Sequence, residues 1–243
     1  MMRSSLNSTN LLNAWEEGVS SHPVRRALLL LRMAWPARSE EDWARAPIGE
    51  RDGSLLSLRE ELFGTSLDSV ADCPKCGKQI ELSFNANDIR LATPTLQHGD
   101  DESGLLVEAA GYKVRFRLPN SADLLKAPDR EALLNRCISA VFHQGEIVDS
   151  MTLPNDVIGP LIEQMQKSDP QADLQIALTC PYCSNAWSIP VDILSYLWSE
   201  LEDWARRLFL EVHTLASAYG WKESDIVAMS PQRRRFYLDM VGA

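Results

Sequence analysis

Two short segments, Cys73-Pro74-Lys75-Cys76 and Cys180-Pro181-Tyr182-Cys183, constrain this chain more than anything else in it. Together they supply four thiolates, the ligand set of a closed tetrahedral structural zinc site with no open coordination position for catalysis. A single zinc ribbon carries about 15–20 residues between its pairs, whereas here roughly a hundred intervene. Three arrangements are compatible with that spacing. One Zn²⁺ joins both knuckles and the chain between them, residues 85–173, is an insertion or second lobe. Alternatively each pair is used separately, as in a homodimer, or the cysteines are free. The local contexts favour the first. Each pair sits in a strand-turn-strand pattern, each holds a proline between its cysteines, and each is followed by a strand with an aromatic, Phe84 or Trp187. One structural zinc on Cys73, Cys76, Cys180 and Cys183 is therefore expected, tying the two halves of the chain together and seating the helix behind the second knuckle. A redox C-x-x-C needs a helix N-terminus in a thioredoxin-like context, and neither pair has one.

The rest of the composition excludes more than it assigns. The 24 Lys+Arg face 34 Asp+Glu, a net charge of −10, which opposes general affinity for nucleic-acid backbone or anionic membrane. After Met1 and Arg3 the chain is polar (Ser4, Ser5, Asn7, Ser8, Thr9, Asn10) where a secretory signal has its apolar run. The most apolar stretch, Ala27 to Trp35, is interrupted by Arg32 and too short to span a bilayer. Five cysteines, four of them in close pairs, suit a reducing compartment with bound metal. Cys137 lies in an apolar pattern and reads as a small buried hydrophobe. His22, His98, His143 and His213 share no ligand spacing, and no nucleophile elbow, phosphate-binding glycine loop or H-E-x-x-H is present. The carboxylates are scattered as on a solvated surface. No enzymatic constellation emerges.

Helical periodicity dominates the first 65 residues. Asn10 reads as the cap of a helix over 11–17, Pro23 opens a second over 23–35, and a brief third contains Trp43. Pro47 and Gly49 read as breakers before a helix over 54–63. Strands alternate around the first knuckle (79–84), across Gly111 (105–118), and around the second knuckle (173–179, 186–189). An acidic loop, 98–104, precedes the middle hairpin. Asp129 caps a helix expected over 130–142, and another follows over 154–166. The longest amphipathic stretch, 192–219, places Leu194, Leu201, Leu208 and Leu215 at seven-residue intervals, with Trp198, Trp204 and Val212 between them. Ser230-Pro231 starts a last helix.

The partner-binding candidates lie in this C-terminal part. Trp198, Trp204 and Trp221 crowd it, and aromatic side chains beyond core needs offer an interface. Arg233, Arg234 and Arg235 form the only basic run, either a solvated helix face or a contact to an acidic protein surface. Nucleic acid is a weaker use for one triplet in an acidic chain.

The run from Cys180 through Trp187, Asp192 and Trp198, then Glu211-Val212-His213, Leu215-Ala216, Tyr219-Gly220-Trp221 and Ser230-Pro231 with Arg233-Arg234, resembles the T4-type phage baseplate or baseplate hub assembly protein family of phage-tail-like contractile injection gene clusters. Ile48 to Asp52, Leu55-Leu56, Phe63-Gly64 and the first knuckle are similar to that family's first half. Lys222 departs from it, standing where a capping serine is expected. The resemblance implies a non-enzymatic assembly factor, a chaperone, or a structural component acting on baseplate or hub proteins in the bacterial cytoplasm and retained in the particle if it is a component. The runner-up is a zinc-ribbon nucleic-acid-binding or regulatory protein.

The expected fold is α+β and mostly α-helical, with a split zinc-ribbon-like β element, a helical insertion and a long C-terminal amphipathic helix. Its regions are 1–67 (helical), 68–90 (first knuckle hairpin), 91–172 (inserted hairpin plus helices), 173–191 (second knuckle hairpin) and 192–243 (helical).

Overall fold

The computed structural model describes residues 6–91, 104–149 and 153–242. The expected acidic loop over 98–104 lies outside them, except for Gly104. The fold is α+β and mostly helical, with small antiparallel sheets and a long C-terminal helix. The chain divides into two units, one made of residues 1–40 and 193–243, the other of 41–192.

The first unit is helical. Helix α1 (Ser8–Gly18) is capped by Asn7, whose Oδ1 accepts from the Asn10 N–H at 2.8 Å; Asn10 is thus inside the first turn, not the cap. Pro23 opens α2 (Pro23–Ala34). Both pack on α8 (Ile193–Tyr219), the expected amphipathic helix, which buries Leu194, Leu197, Leu201, Leu208 and Leu215. Burial of such large aliphatic side chains is worth about 1.5–3 kcal/mol each before chain entropy is counted. Short α9 (Glu223–Val227) begins after Lys222, which makes no side-chain cap. In α10 (Pro231–Val241) the Ser230 hydroxyl accepts from the Arg233 N–H, as expected. Leu12, Leu208, Leu215 and Ile226 share one core cluster.

The second unit opens with α3 (Glu40–Arg45), whose first residue belongs to the helical unit. Helix α4 (Ile48–Phe63) runs straight through the expected break at Gly49. The reason is a distant one. The Asp169 carboxylate accepts from the Gly49 N–H at 2.9 Å and so caps the first turn from 120 positions away. Hairpin β1 (Ser66–Asp72) and β2 (Gln79–Asn85) carries the first knuckle. A four-stranded antiparallel sheet follows, ordered β3 (Leu105–Ala109), β4 (Tyr112–Phe116), β5 (Ile138–His143), β6 (Glu146–Val148). Its Ala110-Gly111 and Gln144-Gly145 turns both take positive φ, the primed geometry that matches strand twist. Four-residue α5 (Ser121–Leu124) is capped by Asn120, with Asp123 completing the capping box.

Helix α6 (Arg130–Cys137) keeps its Asp129 cap but stops five residues before the expected end at 142. Ile138, Val141 and Phe142 instead form β5, because β4 offers a ladder of backbone partners that the local pattern does not reveal. Helix α7 (Asn155–Ser168) packs Val157 and Leu161 against Val114, Phe116 and Val141 of the sheet. A 3-10 turn, Pro170–Ala172, leads into the last hairpin, β7 (Gln175–Thr179) and β8 (Ala186–Pro190), which carries the second knuckle.

Candidate metal centre

Each knuckle is a turn closed by its own backbone. In the first, the Cys73 N–H donates to the Lys78 carbonyl at 2.9 Å and the Gly77 N–H to the Cys73 carbonyl at 2.9 Å. In the second, the Cys180 N–H donates to Asn185 at 2.8 Å and the Ser184 N–H to Cys180 at 2.9 Å. The residue after each second cysteine is left-handed, Gly77 at φ 66° and Ser184 at φ 56°. The two half-sites thus share their hydrogen bonds and backbone handedness, and differ in that one places a side chain where glycine is the unstrained choice.

The half-sites meet crosswise. Cys73 Sγ lies 3.7 Å from Cys183 Sγ, and Cys76 Sγ lies 3.7 Å from Cys180 Sγ. All four sulfurs fall within 4.8 Å of one another. Zinc–sulfur bonds of about 2.3 Å in a tetrahedron place sulfurs about 3.8 Å apart, whereas a disulfide needs about 2.05 Å. All five cysteines are free thiols. The donor set therefore fits a tetrahedral thiophilic cation such as Zn²⁺, with Cys73 and Cys180 buried (2% and 1% exposed) and Cys76 at the surface.

Electrostatics in the cluster point the same way. At Cys73, burial pushes the thiol up, but the N–H groups of Cys76 and Lys75 and the neighbouring thiols outweigh it and bring it to about 7. At Cys183 the Asn185 N–H pulls down, while burial and the Cys180, Cys76 and Cys73 sulfurs carry the thiol up to about 12. Cys137 is not part of this cluster. Burial pushes its thiol up to about 11, consistent with a packed, unreactive side chain.

Both hairpins belong to the unit 41–192, so their tie lies within that unit and not between chain halves. Residues 37–195, a stretch almost coincident with this unit, match the family model described as T4 bacteriophage base plate protein. The chain belongs to the T4 base plate protein family. The matched stretch contains both knuckles and stops short of Trp198, so much of the C-terminal run that carries the resemblance lies beyond it. No curated protein and no solved structure matches the chain. Among the described residues no helix is long and apolar enough to cross a membrane.

The expected partner residues are not one surface. Trp198 is 5% exposed and packs under Gly18, with the Arg26 guanidinium 4.6 Å from its ring centre. Arg234 is 2% exposed, paired with Glu211 at 2.7 Å and bonded to the Met229 carbonyl at 2.7 Å. Both are structural, because an α8 seam and an α8–α10 contact fall on them. Trp204 is half-buried against the helical core. Trp221 is half-buried in an aromatic group, stacked on Tyr219 at 4.5 Å and edge-on to Tyr237 at 4.8 Å. Arg233 and Arg235 are exposed, Arg235 paired with Asp239. Beside them stand two residues the sequence reading passed over, Phe236 (64% exposed) and Met240. Their i, i+4 spacing on a short helix was the available signal.

Proposed function

We propose that the chain is a non-enzymatic assembly factor or structural component of a phage-type baseplate or contractile injection machine, working through protein–protein contacts on a zinc-stapled scaffold. The family match over 37–195, the stretch that folds as the four-cysteine unit, carries this reading. Cys73, Cys76, Cys180 and Cys183 would hold the ion, which would supply cohesion and no chemistry, since four protein ligands leave no site for water or substrate. The chain's own residues present surfaces. The exposed side of α10, with Arg233, Arg235, Phe236 and Met240, combines apolar area with cationic side chains and suits an acidic, apolar face of a baseplate or hub protein. The site of action is the bacterial cytoplasm, where such particles are built, with retention in the particle if the chain is a component.

The nucleic-acid alternative loses support from the burial of Arg234, which leaves two exposed arginines from the triplet, one already paired with Asp239. The test is an affinity pull-down from cells expressing the whole gene cluster, compared with the protein composition of purified particles. Recovery with baseplate proteins is expected. Presence in the particle marks a component, and absence with a transient complex marks an assembly factor. Recovery with nucleic acid alone, resistant to 0.5 M salt, would overturn the reading.

A further inference from the structure

The two knuckle hairpins are separate two-stranded sheets, and among the described residues no strand of one pairs with a strand of the other. Their tips meet at the cysteines, with sulfurs 3.7 Å apart. Their feet are joined by a side chain that nothing in the cysteine motif requires. Gln171 is buried (2% exposed) in the turn that leads into β7. Its Oε1 accepts from the Leu91 N–H at 2.7 Å, and its Nε2 donates to the Ile89 carbonyl at 3.4 Å. Ile89 and Leu91 lie just beyond the foot of the first hairpin, which is closed by Ala86 N–H on the Thr65 carbonyl. Gln171 lies just before the foot of the second, closed by Val191 N–H on Leu174. The amide thus stands in for a missing β-bridge between the two feet.

Neighbouring contacts hold both sides of that bridge to α4. The Arg90 guanidinium donates to Ser57 Oγ at 3.0 Å and pairs with Glu60. Asp169, two residues before Gln171, caps α4 through Gly49. The feet are therefore anchored to one helix, and Gln171 sets their mutual register.

We propose that Gln171 is a positioning residue for the metal centre, aligning the two half-sites from the far end of the hairpins. This rests on the zinc reading of the four cysteines. The lever is long. Strands of seven and five residues at about 3.3 Å per residue put the sulfurs roughly 16–23 Å from the feet. A tilt of about 5° at the foot then moves a sulfur by more than about 1 Å, against a ligand-distance tolerance of about ±0.2 Å. A foot left loose would make the ion bear the cost of ordering both hairpins.

The test compares wild type, Gln171→Met (similar volume, no hydrogen bonds), Gln171→Glu (keeps the acceptor for Leu91) and Val141→Ala (weakens the same unit's core elsewhere). Each is checked for fold by far-ultraviolet circular dichroism. Each is then titrated with Co²⁺ and Zn²⁺, reading thiolate-to-cobalt charge transfer and competition with a chromophoric chelator. Gln171→Met is expected to lose about tenfold in metal affinity, the scale of an orienting contact. Gln171→Glu is expected to lose at least as much, because its buried carboxylate keeps the Leu91 bond but faces the Ile89 carbonyl, and Val141→Ala is expected to be unchanged. If both Gln171 variants stay within twofold of wild type, or fall no further than Val141→Ala, the positioning role is overturned while the metal site stands. If wild type itself shows no tetrathiolate cobalt spectrum, the metal reading fails and the inference with it. Gln171→Glu serves as the deciding variant should Gln171→Met not fold.

Discussion

If Cys73, Cys76, Cys180 and Cys183 hold Zn²⁺ as proposed, removing it should cost this protein a large, calculable part of its stability. Cys76 and Cys180 are 104 positions apart, and their sulfurs lie 3.7 Å apart only because the unit is folded. An unfolded chain that kept all four ligands on one ion would have to close that loop. The chain-entropy relation puts closure of about 100 residues at roughly 4.7 kcal/mol. A C-x-x-C pair alone can hold the ion in the unfolded state, but with two ligands in place of four. With zinc in excess, the ion would therefore favour the folded state by up to about 4–5 kcal/mol, a large share of the 5–15 kcal/mol typical of a domain. The assay is urea unfolding, followed by tryptophan fluorescence and circular dichroism, of zinc-loaded and chelator-stripped protein in the same reducing buffer. Cys180→Ser should reproduce the stripped midpoint, and chelator should then change nothing further. A difference under about 1 kcal/mol between loaded and stripped protein would refute the reasoning, because the loop entropy does not depend on the details of the site.

Other expectations follow from contacts on α4, the second knuckle and α10. A Cβ on Gly49 would stand 1.8 Å from Asp169 Oδ1, so Gly49→Ala should cost about 2–3 kcal/mol in urea unfolding through a lost cap and a forced shift. Burial raises the Asp169 carboxyl despite the Gly49 N–H, so its folded value lies above its unfolded one. Its stabilisation is complete below the unfolded value near 4 and is lost as pH rises through the folded value. Asp169→Asn, which keeps an acceptor oxygen, should therefore gain on wild type as pH rises from about 4 in unfolding titrations; a gain growing toward low pH would reverse the sign. Ser184→Gly should add about 0.5 kcal/mol by relieving a left-handed serine, with cobalt spectra unchanged. Arg234→Met should cost about 2–3 kcal/mol by stranding Glu211, while Arg235→Glu should leave stability within about 0.5 kcal/mol and weaken partner recovery in the pull-down.

What could be read from the sequence was whatever depends on local pattern. The four cysteines announced their own convergence through matched flanks. The α8 seam followed from leucines at seven-residue intervals, and the middle hairpin from Gly111. What could not be read depends on groups far along the chain. Gly49 reads as a breaker until Asp169 is seen capping it. Residues 138–142 fit a helix until β4 supplies a ladder. Arg234 has two arginine neighbours and no local sign that it alone turns inward to Glu211. Gln171 sits in an unremarkable Asp-Pro-Gln turn, and its role exists only because Ile89 and Leu91 come to it.

The division of the chain explains why the cysteines stand so far apart. The helical unit is assembled from both ends, residues 1–40 and 193–243, with α1 and α2 packing on α8. The cysteine unit interrupts it, and within that unit the two hairpins stand toward the two ends of the sequence, with the sheet and α5 to α7 between them. A metal at that position would join sulfurs 110 positions apart within the interruption, 41–192. It would hold together the hairpins that flank the four-stranded sheet in the sequence, so the sheet between them would be confined without bonding to the ion itself. The same logic assigns different consequences to damage in the two units. Losing a cysteine should loosen the interrupted unit while α1, α2 and α8 keep their seam. Truncating within α8 should instead strip α1 and α2 of their buried partner and leave the four sulfurs in reach of one another.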